Sequence, residues 1–141
     1  MSLEAAARAA EPAVPLAYTL EKAEDGGRST ACDFRPMIRD LLDRLAGGES
    51  PAQLARAFHE TCAAMLAEVV ENAAAETGIS RAVLSGGCFA NRLLLELLVE
   101  RLLARGLQPV SHRDVPTGDG GIALGQAVVA AERVRRGLVC V

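Results

Sequence analysis

Leu84-Ser85-Gly86-Gly87-Cys88-Phe89-Ala90-Asn91 is the stretch that decides the fold. Before it, Arg81-Ala82-Val83-Leu84 reads as a short buried strand. After it, Arg92 to Ala104 reads as an amphipathic helix with Leu93, Leu94, Leu97, Leu98 and Leu102 facing inward. A strand that ends in paired glycines, with a helix opening a few residues later, lets backbone N–H groups and a helix N-terminus meet phosphate or ribose oxygens. Two glycines also reach backbone angles closed to other residues and let a ligand come close to the main chain. A plain βα turn has the same signature, so this stretch alone assigns no function.

Downstream, Gly106 ends the helix and Leu107-Gln108-Pro109-Val110-Ser111 reads as a second short strand. Pro109 implies that one side of its ladder is not fully used. Strand, helix and strand with short loops make a βαβ unit, so the two strands are expected to be parallel and adjacent or nearly so. The loop His112-Arg113-Asp114-Val115-Pro116-Thr117-Gly118-Asp119-Gly120-Gly121 follows. A last helix starts at about Ile122, and its small residues (Ala123, Gly125, Ala127, Ala130, Ala131) allow close packing on the sheet. Both glycine-rich loops then lie at the carboxyl ends of parallel strands, where open α/β sheets bind ligands. Asp119 suits a helix N-cap. It equally suits a carboxylate holding a hard cation such as magnesium beside a nucleotide phosphate. Asn91 either caps its helix or hydrogen-bonds a base or ribose.

Upstream, Ser50-Pro51-Ala52-Gln53 is a helix start, with Ser50 as cap, Pro51 at the first helical position and Gln53 in the capping-box place. Leu54, Phe58, Cys62, Met65 and Val69 follow in steps of three and four, one face of a helix that runs to about Thr77 and stops at Gly78. At 1.5 Å per residue it spans roughly 40 Å. An earlier helix opens at Asp33-Phe34-Arg35-Pro36, with Ile38, Leu41, Leu42 and Leu45 as its apolar face and Gly47-Gly48 as its end. Residues 1–15 suggest a short Ala-rich helix closed by proline, Leu16 to Leu20 a weak strand, and Glu24 to Ser29 a turn.

The 141 residues suit one domain, half of them hydrophobic but only 3% aromatic, so the core must be Ala, Leu and Val. A net charge of −3 with a single lysine, Lys22, and no basic run argues against a sequence-independent nucleic-acid binder. No apolar run approaches a membrane span, and the start is no secretory signal. Cys32, Cys62, Cys88 and Cys140 form no C-x-x-C pair and read as buried reduced thiols of a cytoplasmic protein. Two or three short strands are too few to cover helices this long. The chain therefore reads as part of a domain whose first strands lie elsewhere.

Three segments, in order, resemble the hydrogenase maturation carbamoyltransferase family HypF. Val83 to Leu94 resembles its "LSGGVFQNRLL", His112 to Ala127 its "HRxVPPNDGGxALGQA", and Phe58-His59-Glu60-Thr61 its "FHxT". Leu3-Glu4-Ala5 resembles the preceding "LEALA". The resemblance implies a helix-rich α/β fold, the C-terminal part of an actin/sugar-kinase-like (ribonuclease H-like) domain with short parallel strands. It implies a carbamoyltransferase that uses ATP and carbamoyl phosphate to form carbamoyl-adenylate. The carbamoyl group then passes to the C-terminal Cys of the partner HypE, to become a cyanide ligand of nickel–iron hydrogenase. Ser85, Gly86, Gly87 and Asn91 would touch the nucleotide, with Gly120 and Gly121 near the phosphates. Asp119 would hold a divalent metal, Mg or Fe; zinc would belong to the missing N-terminal region. No catalytic residue is assigned.

The match departs from the family at Cys88, Ala90 and Pro116-Thr117-Gly118-Asp119, where the family has Val, Gln and Pro-Pro-Asn-Asp. It covers only the C-terminal part of a larger enzyme. The chain is thus expected to be a single partial domain over 1–141, with an N-terminal extension and loop at 1–35 and an α/β core at 36–134. It is expected to carry half a nucleotide site, to be inactive alone, to need the rest of the HypF chain, and to self-associate through open strand edges and an uncovered helix face. The alternatives are a TsaD-like tRNA threonylcarbamoyl transferase and a non-catalytic nucleotide-binding or structural α/β module. His59 reads as a hydrogen-bonded core or interdomain residue, and His112 either as a surface-loop residue or as one that faces the phosphates.

Overall fold

Pro51–Thr77 forms one 27-residue helix, α3, and the elements around it are ordered by what they bury against it. In this computed structural model, residues 2–22 and 29–138 are described. The ends of α3 follow from its sequence. Ser50 Oγ accepts a hydrogen bond from Gln53 N at 3.2 Å, and Gly78 stops the helix in the left-handed conformation with φ 72°. Its apolar residues do not make a single stripe. From Leu54 to Ala67 most positions are buried, including Ala55, Ala57, Ala63 and Ala64, and the others are half-buried. The small side chains let neighbours approach on more than one side, which a count of large residues at helical spacing does not register.

Two compact units divide the chain. The first comprises Met1–Ala82 and Asn91–Pro109. Helix α1, Leu3–Arg8, packs on α3 through Ala6 and Ala7, and Ser2 caps it by accepting from Ala5 N. It ends before the proline at 12. A hairpin follows: β1, Thr19–Lys22, pairs antiparallel with β2, Thr30–Asp33, with Leu20 opposite Cys32. This strand lies later than the expected 16–20 segment, because Leu16 N is taken by Thr61 Oγ1 instead of a ladder. The turn expected at 24–29 falls almost wholly outside the described residues.

Helix α2, Arg35–Ala46, has Pro36 in its first turn, and Asp33 Oδ1 accepts from Arg35 N. Its inward residues are Met37 and Leu41, in a cluster with Leu16 and Ala57; Ile38, Leu42 and Leu45 are exposed. The expected face was therefore rotated by about one residue. Helix α4, Arg92–Ala104, buries Leu93, Leu97, Leu98 and Leu102 and packs on α3.

The second unit comprises Val83–Ala90 and Val110–Val141. Strands β3, Arg81–Leu84, and β4, Gln108–Ser111, form a two-stranded parallel sheet joined through α4. Gly87–Ala90 and Asp119–Gly121 are single 3-10 turns. The final helix α5, Ile122–Arg135, begins where the sequence indicates but buries none of its residues. Its small residues are not covered by a sheet here, since all of them are exposed, as are Ile122, Leu124, Val128 and Val129. The fold class is the helix-rich α/β one expected from the sequence, with the antiparallel β1–β2 hairpin as an unexpected addition.

Candidate functional site

The second unit builds a cleft from the two glycine-rich loops. Ser85 directly follows β3 and His112 directly follows β4. Parallel pairing sets these two strand ends side by side, and Ser85 Oγ lies 2.8 Å from His112 Nε2. The next residue ties the loops together: Gly86 N donates to Thr117 O at 2.9 Å. Gly86 does so at φ 109°, a conformation that L side chains rarely adopt. The cleft has a volume of about 360 Å³. Ser85, Gly86, Gly87, His112, Asp119 and Gly121 are among the residues that line it.

Gly121 is required by packing. A Cβ there would lie 2.8 Å from Pro116 O and 3.2 Å from Val115 Cγ1. Gly120, in the same turn, has room at the edge of ordinary contact with Pro116 and does not itself line the cleft. Asp119 opens the 3-10 turn that leads into α5. It offers hard, acceptor-only oxygens. Among the described residues no three His, Cys, Asp or Glu side chains gather as a ready metal cage. A magnesium ion fits such a place, since it commonly keeps waters and takes one or two carboxylates along with substrate phosphates.

Asn91 belongs to the first unit and does not line that cleft. Its Oδ1 accepts from Leu94 N at 3.0 Å and caps α4, while its Nδ2 donates to His59 Nε2 at 2.8 Å. His59 is 2% exposed. Its Nδ1 donates to Ala55 O at 2.8 Å, which places the ring proton on Nδ1 and leaves Nε2 to accept. Two residues on, Thr61 is fully buried; its hydroxyl donates to Ala57 O and accepts from Leu16 N. The segment around Phe58 is therefore a fastener. His59 holds the start of α4 and Thr61 holds the residue-16 segment. Glu60, also buried, pairs with Arg56 and Arg101. His59 as a hydrogen-bonded core residue matches the sequence reading; its tie to Asn91 was not foreseen.

Around α4, Glu4 Oε1 accepts from Leu93 N at 3.1 Å and from Arg8 Nε. The backbone N–H of Leu93, with Arg8 beside it, holds the Glu4 carboxyl below its ordinary range. Arg44 does the same to Asp40, which also accepts from Ala17 N. Burial pushes the Cys62 thiol up. The described cysteines correct one expectation: Cys32 and Cys62 are half-buried and Cys88 is exposed, so none is a fully buried thiol. Cys140 lies outside the described residues. His112 at Ser85 is the site contact that sequence reasoning missed. Only part of its signal was in the sequence: both residues directly follow strands of one parallel pair, but the register that sets them side by side is not written there.

The glycine loops and their strand-end cleft sit in a helix-rich α/β domain of the Kae1-like kind, and residues 1–126 match the family described as "Carbamoyltransferase, Kae1-like Domain, second subdomain". The chain belongs to the HypF carbamoyltransferase family. It is 42% identical over 100 residues to carbamoyltransferase HypF of Rhizobium leguminosarum bv. viciae, covering 71% of this chain and 13% of that one. It is 33% identical over 119 residues to a tRNA N6-adenosine threonylcarbamoyltransferase of Methanopyrus kandleri, covering 84% of this chain and 32% of that protein. A crystal structure of full-length HypF in the phosphate- and nucleotide-bound form superposes with TM-score 0.81 at 33% identity, over 92% of this chain and 16% of that one. T. kodakarensis HypF, at 23% identity and TM-score 0.76, shares the fold. The chain thus spans about an eighth of the Rhizobium relative's length. No described helix is long and apolar enough to cross a membrane.

Proposed function

We propose that this chain supplies part of the nucleotide site of a HypF-type carbamoyltransferase, in the cleft of the second unit. The observation that carries the proposal is the joining of the two glycine loops, Gly86 N to Thr117 O, around a cleft lined by Ser85, Gly87, Asp119 and Gly121. A strand-end cleft with a carboxylate at one wall and little side-chain bulk at the other suits a phosphate chain accompanied by a cation. Nucleotide binding by the structurally similar full-length HypF supports the same reading. Asp119 would hold magnesium or iron(II), which neutralises phosphate charge when bound. The glycines would leave space for the phosphates, and Ser85 would offer its hydroxyl.

In this reading the complete enzyme makes carbamoyl-adenylate from ATP and carbamoyl phosphate. It transfers the carbamoyl group to the thiol of the C-terminal Cys of HypE in the cytoplasm, for hydrogenase maturation. This chain alone does not turn over. The apolar side chains on α5 are where the rest of the longer HypF-type chain packs, and in its absence copies of this chain meet there. Asn91 contributes by fixing the start of α4 through its cap and His59. Calorimetric titration of the chain with ATP and magnesium tests the site. Binding is expected, and Asp119→Ala is expected to weaken it at least tenfold. A folded chain that binds no nucleotide, or binds equally well without Asp119, would overturn the assignment.

A further inference from the structure

We propose that His112 is a positioning residue that turns the Ser85 hydroxyl into a hydrogen-bond donor toward a phosphoryl oxygen in the cleft. The inference deepens the nucleotide reading above and rests on it. A glycine turn beside a strand end suggests that backbone N–H groups receive the anion. Here the Gly86 N–H is already committed to Thr117 O at 2.9 Å. That amide cannot also face a ligand without parting the two loops. A donor to the ligand then comes from the other amides of the wall or from its polar side chains, which are Ser85, His112, Thr117 and Asp119. Asp119 as a carboxylate only accepts.

Ser85 and His112 share one hydrogen bond, 2.8 Å from Oγ to Nε2. A serine hydroxyl has one hydrogen and two lone-pair sites. If Nε2 accepts, that hydrogen is spent on the ring, and Ser85 presents only lone pairs to the cleft. Phosphoryl oxygens would be repelled. If Nε2–H donates, the Ser85 hydrogen is free to point at the ligand. The chain Nε2–H to Oγ–H to phosphoryl oxygen then polarises along its length, and each bond strengthens the next. Both residues directly follow paired parallel strands, so sheet register holds the two groups at bonding distance.

Two measurements test this. The chain has only two histidines, His59 and His112, so nitrogen NMR of a histidine-labelled sample resolves both rings, with His112→Gln giving the assignment. The proton is expected on Nε2 of His112, with a resonance that moves in Ser85→Ala. An unprotonated, accepting Nε2 overturns the proposal whether or not nucleotide binds. The second measurement is a double-mutant cycle on binding of magnesium-ATP. Ser85→Ala and His112→Ala are each expected to weaken binding about tenfold, the effect of one hydrogen bond to a charged group. The double variant should be no worse than either single one, and His112→Gln, whose amide N–H still donates, should stay within about threefold of the parent. Additive losses overturn it, as does a loss in Thr117→Val with none in His112→Ala. A parent chain that binds no ATP removes the nucleotide reading, and the ring measurement then judges the pair by itself.

Discussion

The two units differ in what their residues do. Apart from Leu84, every fully buried hydrophobic side chain among the described residues lies in the first unit. That unit also contains the buried His59, Glu60 and Thr61, each with its hydrogen bonds or ion pairs made internally. The second unit holds the cleft, and none of its α5 residues is buried. The buried core and the cleft are thus carried by different stretches that alternate along the chain. Binding loops come from the low-stability end of a structure, because a site must open to its ligand. The cleft loops of the second unit have that character: they are held by sheet register and a few hydrogen bonds.

The sharpest way to break this contrast is a core truncation in the first unit. Leu98→Ala removes a side chain that is 1% exposed. It is expected to cost about 2–5 kcal/mol. Denaturant melting followed by circular dichroism checks this. A loss below about 1 kcal/mol would mean that α4 is not part of the stabilising core. Thr61→Val comes next. It leaves Leu16 N without its buried acceptor, a penalty of about 1–3 kcal/mol.

Helix ends were the most legible part of the sequence. Ser50, Pro51 and Gly78 bound α3 as capping chemistry requires, and α4 and α5 begin at Arg92 and Ile122 as expected. The cleft was legible as two loops at parallel strand ends. The pairing of Ser85 with His112 was not, because it depends on register between residues far apart in sequence. The breadth of burial on α3 was hidden for another reason. Alanine carries little hydrophobic signal, yet Ala57, Ala63 and Ala67 are fully buried because neighbours pack closely on them. Periodicity also misplaced the inner face of α2, where Met37 goes in and Ile38 stays out. Adjacent apolar residues at a helix start look alike until the partner surface is known.

Asn91→Ala tests the fastener at the start of α4. Losing the cap on α4 is expected to cost about 0.5–2 kcal/mol. The variant also leaves His59 Nε2 buried without its donor. Thermal melting reads the total, and a change smaller than Ser50→Ala at the exposed end of α3 would show that the His59 contact adds nothing. Acid gives a milder effect. Glu4 and Asp40 have folded pKa values below their unfolded ones, so their contribution is full above about pH 4.3 and fades as pH falls through the depressed values. Melting temperature should therefore fall more steeply with acidification in the parent than in a Glu4→Gln, Asp40→Asn double variant. Parallel curves would show that these carboxylates do not stabilise the first unit.

The smallest expected change in stability is in α5, where the contrast between the units makes its most specific claim. Val128 and Val129 are 61% and 55% exposed. Replacing both with serine removes no buried area within this chain, so melting should shift by less than about 0.5 kcal/mol. The two valines nevertheless lie on a helix that carries exposed Ile122 and Leu124, and exposed apolar side chains concentrated on one element favour association. Light scattering should find the parent chain associating as its concentration rises and the double serine variant doing so less. The two readouts are chosen to disagree: folding energy unchanged, association reduced. If the variant lost stability as a core truncation does, α5 would be buried in solution, and the second unit would have a core of its own after all. If neither readout moved, the exposed valines would not be an interface, and the partner surface of this chain would have to be sought away from α5.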